Sequence, residues 1–200
     1  MKTDIIVVSS SGNQMKKALE QTEKVAIYKE LSPKSTLQLR LLAEEMMGMM
    51  RSITGETEGK FWIEDEKNCY QLHLQVETRM NSEKRDQLLS TASSGKNESA
   101  RGLMGWLRDF FERGAEDELV APSPLLLSNM KDISTTPTLD WSWSMTGYQN
   151  ELSNLVEQNN EEACRMWDEL EKSVVTHVAD DIKVSIRGRT TEMIILKRLV

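Results

Sequence analysis

Cysteine, histidine and proline are all scarce in this sequence. Its 200 residues include 2 Cys, 2 His and 4 Pro. Cys69 and Cys164 lie far apart and form no Cys-x-x-Cys pair, and His73 and His177 add too few ligands at zinc-binding spacing. We therefore predict no metal site, and we expect both cysteines to pack as small apolar side chains.

Long apolar runs are also missing. The run near the N-terminus, residues 5–8, reads Ile-Ile-Val-Val, which is too short for the apolar core of a signal peptide and has no cleavage site after it. A membrane-spanning helix needs about 20 predominantly apolar residues. The sequence therefore predicts a cytoplasmic protein that does not contact a membrane.

Basic residues are outnumbered, since Lys and Arg total 25 against 32 Asp and Glu, for a net charge of -7. Binding to a phosphate backbone requires a concentrated basic face, and no dense Lys/Arg run is present, so we expect no nucleic-acid partner. Hydrophobic residues make up 38% and charged residues 28%, which is typical of a globular protein. With no repeat and no long linker, residues 1–200 are predicted to form one domain.

Apolar spacing predicts two helices, at about 14–30 and 33–53. Ser32 suits an N-cap, and Pro33 suits the first helical position because it has no N–H to lose. The second helix carries an apolar stripe wide enough to predict that it is largely buried, with methionine as adaptable core filler. The stripe is formed by Leu39, Leu42, Met46, Met49 and Met50.

Two hairpins are predicted, one over residues 60–78 and one formed by 182–187 and 190–199. Between them we expect a polar loop at 79–97, a helix at 98–113 and an irregular connection at 115–138. A strand with Trp141 and Trp143 on its buried face and a long helical stretch over 149–178, interrupted near Asn159-Asn160, complete the prediction.

This order of helix, helix, hairpin, polar loop, helix and terminal hairpin resembles the GHKL (histidine kinase-like) ATPase fold of sensor kinases, gyrase and anti-sigma factor serine kinases. The resemblance covers about 14–114 and 180–199. It implies an α+β protein, a two-layer α/β sandwich with a mixed, mostly antiparallel sheet covered by helices. On this view residues 115–178 are an inserted, largely helical segment.

Leu41-Leu42-Ala43-Glu44-Glu45 is similar to the N-box helix of that family, in which a glutamate acts as general base near the γ-phosphate. The resemblance places Glu45 at the catalytic position. The family's asparagine, one turn later, holds Mg²⁺, but here that position is Met49, whose soft thioether does not bind a hard cation. The alternative for Glu45 is a surface carboxylate at the edge of a buried helix.

Two further segments carry the resemblance. Residues 100–106 resemble the glycine-rich end of the family's ATP lid, which implies Gly102 and Gly105 as close-approach positions and Arg101 as a phosphate contact. The alternative is that both glycines mark the start of a helix and allow that helix to pack closely against its neighbours. Residues 188–199 resemble the Gly-Thr-rich final strand of anti-sigma kinases.

The largest departure follows the second strand of the first hairpin, where the family has Asp-x-Gly-x-Gly at the adenine pocket. Here Glu77 stands in for the aspartate, and Arg79 and Met80 add side-chain bulk where the glycines are missing. Asn81 is the residue that could replace the missing metal ligand.

We therefore hypothesise a regulatory domain of bacterial signalling that binds a protein partner, such as a sigma-like factor, on a degenerate ATPase scaffold. Nucleotide binding is expected to be weak or absent, so no cofactor is assigned, although ATP stays open and Mg²⁺ is doubtful. One alternative is an active ATP-dependent serine/threonine kinase that uses Glu45 and Asn81. Another is a structural or accessory domain that shares the fold alone. A homodimer is left open.

Overall fold

The computed structural model describes residues 1–9, 12–54, 58–77, 140–187 and 190–199. The predicted loop at 79–97, the predicted helix at 98–113 and the connection at 115–138 lie outside the described residues. In chain order, the described elements are β1 (Ile6–Ser9), α1 (Gly12–Tyr28), α2 (Pro33–Thr54), β2 (Glu58–Glu66), β3 (Cys69–Glu77), β4 (Asp140–Ser144), α3 (Met145–Glu157), α4 (Glu161–Glu171), α5 (Val174–Val178), β5 (Asp181–Arg187) and β6 (Thr190–Arg198).

The strands form one sheet in the order β1-β2-β3-β6-β5-β4. Every neighbouring pair in this described sheet is antiparallel, so the parallel pairing expected of a mixed sheet does not occur in this part of the chain. Alternate strand positions, such as the paired Leu72 and Ile195, join one core with Leu42 of α2 and Leu152 of α3. The chain is therefore an α+β protein in which helices pack on an antiparallel sheet.

The first hairpin is closed by a tight turn at Lys67 and Asn68. Both residues have positive φ, 50° and 64°, the pattern of a two-residue type I′ turn. That turn twists in the same sense as the flanking strands, so it sets the register in which Asp65 lies opposite Tyr70. The hairpin predicted over residues 60–78 is confirmed, with its two-residue turn at Lys67 and Asn68.

The predicted boundary between α1 and α2 is confirmed. Glu30, with a φ of 51°, ends the first helical segment, and the Ser32 Oγ accepts a hydrogen bond from the Ser35 N–H at 3.2 Å. Pro33 is the first residue of α2, where its missing N–H costs no intrahelical bond. Local capping chemistry thus sets this boundary.

The predicted helical stretch over 149–178 is three helices. It begins earlier than expected, at Met145, because the Ser144 side chain accepts from the Gly147 N–H and caps α3. The break near Asn159 is confirmed by its φ of 57°. A second break, at Ser173, was not predicted.

The core is rich in methionine, as predicted. Met46, Met47 and Met50 are fully buried, and Trp143 of β4 is 7% exposed and belongs to the same cluster. None of the helices among the described residues is both long and apolar enough to cross a membrane.

Candidate functional site

Glu45, the predicted general base, lies on α2 beside the core. It is half-buried, whereas its neighbour Glu44 is exposed. Burial raises the pKa of the Glu45 carboxyl, and the negative charge of Glu44 raises it further. A carboxyl group that holds its proton more tightly than usual is better suited to proton transfer near neutral pH than an ordinary surface glutamate.

One turn after Glu45, the position that the resemblance assigns to a magnesium ligand is filled by an apolar side chain. Met49 is 4% exposed and belongs to the hydrophobic core. A buried thioether offers Mg²⁺ neither charge nor a hard oxygen ligand. The geometry at this position is therefore that of a packed core.

The packing between α2 and the first hairpin is tight at Gly59. A Cβ placed on Gly59 would lie 3.1 Å from the Met50 Sδ and 3.0 Å from the Gln75 carbonyl oxygen. The side chain of Met50 thus packs directly against Gly59, where an added Cβ would make unusually close contacts. Sequence reasoning treated the methionines as core but did not identify this contact, because it depends on strand register.

Among the other residues predicted to contact a ligand, Glu77 lies in the described part of the chain. Glu77 is the last residue of β3, is exposed, and lies opposite Thr190 of β6. Asn81, Arg101, Gly102 and Gly105 lie outside the described residues. Of the predicted site residues, the structure therefore describes Glu45 on α2 and Glu77 at the end of β3.

A second polar cluster, which sequence reasoning missed, lies on β2, β3 and β6. Trp62 stacks on His73 with ring centroids 4.7 Å apart, and the His73 Nδ1 lies 3.2 Å from a Glu192 carboxylate oxygen. The Trp62 Nε1–H donates to Glu64 at 2.9 Å. Cross-strand pairing of Trp62 with His73 is the signal that could have revealed this cluster.

Glu64 in this cluster is paired with Lys2, whose ammonium also lies 5.2 Å from the centroid of the Trp62 ring. The hydrogen bond from Lys2, followed by that from Trp62, lowers the pKa of the Glu64 carboxyl. The His73 Nε2 is buried and has no hydrogen-bond partner within the described chain. The cluster has the form of an ordinary cross-strand network, with the Lys2 ammonium over the Trp62 ring.

An ion pair joins the end of α1 to β2. The Asp65 side chain is 6% exposed and contacts the Lys29 ammonium. The hydrogen bond with Asp65 raises the pKa of Lys29, and burial, followed by the charge of Asp65, raises the pKa of Tyr70 on the neighbouring strand. These groups tie the helix hairpin to the sheet, and we assign them no chemistry.

The helix hairpin also presents apolar side chains to solvent. Ile27, Tyr28 and Leu37 are 76%, 74% and 66% exposed. Ile27 and Tyr28 end α1 and Leu37 lies in the second turn of α2; exposed apolar surface marks a protein contact where it is contiguous.

Among the described residues, no group of three or more His, Cys, Asp or Glu side chains could hold a metal ion. Comparison with known proteins adds no assignment: no protein-family model matches the chain, and no curated protein is significantly similar to it. The functional argument therefore depends on the residues themselves.

The half-buried Glu45 carboxylate gives a first prediction. Because the folded-state pKa is raised, the folded protein binds this proton more tightly than the unfolded chain, so stability falls as pH rises above the ordinary carboxyl pKa of about 4.3. Glu45→Gln removes the charge, and we expect a higher melting temperature than wild type at pH 7. The difference should shrink at about pH 3.5, where both forms are neutral.

Glu44→Gln is the matched control for that experiment. It removes the repulsion between the two carboxylates but leaves Glu45 buried, so its gain at pH 7 should be the smaller of the two. Equal gains in melting temperature would show that repulsion between the carboxylates, and not burial of Glu45, causes the effect. A lower melting temperature for Glu45→Gln than for wild type at pH 7 would contradict the prediction.

Proposed function

We propose that this protein is a regulatory domain that binds a protein partner on a degenerate histidine kinase-like ATPase scaffold, in the manner of anti-sigma proteins. The order of the described elements supports the proposal: two helices, a hairpin and a terminal hairpin form one α+β unit. Protein–protein contact, with weak or absent nucleotide binding, is the activity we assign.

One observation carries the proposal: the inward side of α2 after Glu45 is filled with methionine. Met49 occupies the position that would need an oxygen ligand, and Met50 closes the space over Gly59. In phosphoryl transfer the metal neutralises developing charge, and catalysis is almost entirely positioning and electrostatics. A scaffold without that ligand retains a surface for binding but loses the main source of catalysis.

The exposed apolar side chains of the helix hairpin support a binding role. Tyr28 is an exposed aromatic side chain of a type enriched at protein interfaces, and Ile27 and Leu37 add exposed aliphatic side chains on the same two helices. Nothing in the packing of α1 or α2 requires these three positions to be apolar, since each is more than half exposed.

A thermal-melting experiment with and without Mg-ATP tests the nucleotide part of the proposal. A ligand that binds only the folded state raises stability by about 2.7 kcal/mol at a concentration of 100 times its Kd. We expect no shift at millimolar Mg-ATP, with Mg²⁺ alone as the blank and an ATP-binding histidine kinase domain as the positive control. A clear, saturable shift would contradict weak or absent nucleotide binding.

Partner capture tests the binding part. The full chain, immobilised in extract of the native cytoplasm, should retain one partner at a fixed stoichiometry. Substitution of Ile27, Tyr28 and Leu37 by serine should release that partner without unfolding the domain, because all three side chains are exposed. Two results would count against the proposal: a wild type that retains no partner, and a triple variant that still retains the partner as the wild type does.

The kinase alternative is favoured by the raised pKa of Glu45. In that case the protein should transfer phosphate from ATP to a serine or threonine of its partner, and Glu45→Gln should abolish the transfer. Transfer that survives Glu45→Gln would remove Glu45 from the role of general base.

A further inference from the structure

The N-terminal segment, residues 1–6, and α1 form the two walls of a groove of about 520 Å³. The Gln21 side-chain amide joins the walls by donating to the Asp4 carbonyl oxygen at 2.9 Å. The segment itself is held against β2, where the Thr3 N–H donates to the Ile63 carbonyl oxygen at 2.9 Å. Because both walls are already in place, a partner that enters the groove loses less binding free energy to ordering.

The contacts along the groove show which ends of its two walls meet. The Met1 carbonyl oxygen accepts from the Asp65 N–H at 2.8 Å, and the Asp65 carboxylate contacts Lys29, the residue that follows Tyr28. The Gln21 contact lies two turns earlier on α1 and involves a later residue of the N-terminal segment. The segment therefore runs antiparallel to α1, with Met1 at the Tyr28 end.

The Tyr28 end of the groove is apolar. Tyr28 and Met1 both line it and are 74% and 43% exposed, and the buried Val25 lines it as well. Tyr28 is also one of the exposed apolar side chains to which partner binding is assigned. The groove and that partner surface are therefore continuous, and exposed apolar surface bordered by polar residues is typical of a protein contact.

Charged side chains line the rest of the groove. Counted back along α1 from the apolar end, Lys24, Glu20 and Lys17 come at intervals of four, four and three residues, so they lie on one side of the helix. Asp4 lies on the opposite wall. All four are exposed, and none forms an ion pair or a side-chain hydrogen bond within the described chain. From its apolar end, α1 thus presents positive, negative and positive charge in turn.

This order of charges disfavours a uniformly charged partner. A nucleic acid or another polyanion would meet Glu20 and Asp4 as well as the two lysines, and like charges brought together across an interface are costly. The charged positions on α1 are about 4.5–6 Å apart along the helix axis, at 1.5 Å per residue. Alternate side chains of an extended chain lie on one face about 6.6 Å apart. An extended segment can therefore meet each of these charges in turn.

We propose that this groove binds an extended segment of the partner that carries an apolar side chain and then acidic, basic and acidic side chains at alternate positions. The apolar side chain packs against Tyr28. Lys24 and Lys17 contact the two acidic side chains, and Glu20, with Asp4 across the groove, contacts the basic one. The inference deepens the proposed function, on which it rests for the statement that the natural occupant is a protein.

Nuclear magnetic resonance of the isotopically labelled full chain tests the proposal with a synthetic probe. The probe is a blocked peptide with leucine, glutamate, lysine and glutamate at alternate positions and serine between them. Titration to about 5 mM detects a Kd in the millimolar range. We expect saturable shifts of the amide signals of residues 3–6 and 17–28, and none in the hairpin formed by β5 and β6.

A second probe with every charge reversed is the control for charge order. Because the protein carries a net charge of -7, non-specific attraction favours this more basic probe. The wild type should nonetheless bind the first probe roughly tenfold more tightly, since complementary charges across an interface decide which partner binds. A preference against the net charge of the protein can come only from local lysines.

Lys17→Glu/Lys24→Glu should exchange this preference, so that the variant binds the charge-reversed probe more tightly than the first one. Lys16→Glu/Lys34→Glu is the matched control, because it makes the same change in net charge at two exposed positions that do not line the groove. This control should keep the wild-type preference. Circular dichroism of each variant distinguishes a change in binding from loss of the fold.

Four outcomes would overturn the proposal: no shift of the groove signals in the wild type, equal or tighter binding of the charge-reversed probe by the wild type, an unchanged preference in Lys17→Glu/Lys24→Glu, or groove shifts that follow protein concentration alone. The last outcome would assign the groove to a second copy of the chain. A wild type that retains a partner in the capture experiment but does not bind the probe would remove the groove alone. One that binds the probe but retains no partner would contradict the proposed function alone.

Discussion

Replacement of Met50 by alanine is expected to destabilise the protein by about 2–5 kcal/mol, the range for truncation of a large core side chain. Met50 is fully buried, and its sulfur lies over Gly59 on the adjoining strand. The loss of stability combines the lost apolar burial with the cavity that remains. The cavity remains because the sheet below α2 cannot move far enough to fill the space of a whole side chain. Urea denaturation measures it as a change in the free energy of unfolding.

Gly59→Ala should also destabilise the protein, because it adds an atom to the Gly59 side of the same contact. Its new Cβ would lie 3.1 Å from the Met50 Sδ and 3.0 Å from the Gln75 carbonyl oxygen, and overpacking of this kind costs about 1–3 kcal/mol. In the double variant the shortened side chain at position 50 makes room, although the Gln75 carbonyl does not move away. The loss of unfolding free energy in the double variant should therefore be smaller than the sum of the losses in the two single variants.

Gly48→Ala is the matched control. The same substitution at Gly48, in the middle of α2, meets no atom within 4 Å, so the alanine should instead stabilise the helix by about 0.5–1 kcal/mol. Fully additive losses for Met50→Ala and Gly59→Ala would contradict the proposed contact.

Trp62→Ala is expected to cost about 3–5 kcal/mol, the range for removal of a large buried aromatic side chain. Trp62 is 8% exposed, stacks on His73 and donates a hydrogen bond to Glu64. Its removal therefore exposes the His73 ring and releases Glu64 from one of its two partners. Thermal and urea unfolding of the variant measure the loss.

Two further variants separate packing from hydrogen bonding at this position. Trp62→Phe keeps an aromatic ring over His73 but removes the indole N–H, so we expect a smaller loss than for alanine. Tyr28→Ala removes an aromatic side chain that is 74% exposed and should change stability by no more than about 0.5 kcal/mol. A Trp62→Ala variant as stable as Tyr28→Ala would show that the stacked pair contributes little.

Several boundaries could be predicted because local chemistry decides them. Ser32 and Pro33 start α2 wherever the helix packs, since both act through their own backbone and the first helical turn. The break at Asn159 follows in the same way from a residue type that tolerates positive φ. The early start of α3 was missed because Ser144 is both a strand residue and a cap.

Pairings distant in sequence could not be predicted. Alternation showed that β3 and β6 were strands, but not that His73 would lie within reach of Glu192, which is 119 residues away. The contact of Asp65 with Lys29 depends in the same way on where α1 ends relative to β2. One residue of register shift would move each side chain to the opposite face of the sheet.

For the candidate site, residue type and position contributed different information. Glu45 was identified from the sequence, but its half-buried environment and raised pKa come from the packing of α2. Met49 was recognised as a poor metal ligand from its chemistry alone, since a thioether is soft wherever it lies. Whether it faced a cleft or the core depended on the rotation of the helix over the sheet.

The amino-acid sequence by itself determined most of the described elements, the boundaries set by Ser32-Pro33 and Asn159, and the methionine-rich side of α2, because spacing, capping and side-chain chemistry act over a few residues. Only the tertiary structure decided the antiparallel strand order, the filled space over Gly59 and the reach of His73 to Glu192. Those features arise where separate helices and strands meet, and the net packing free energy of many such contacts selects one arrangement.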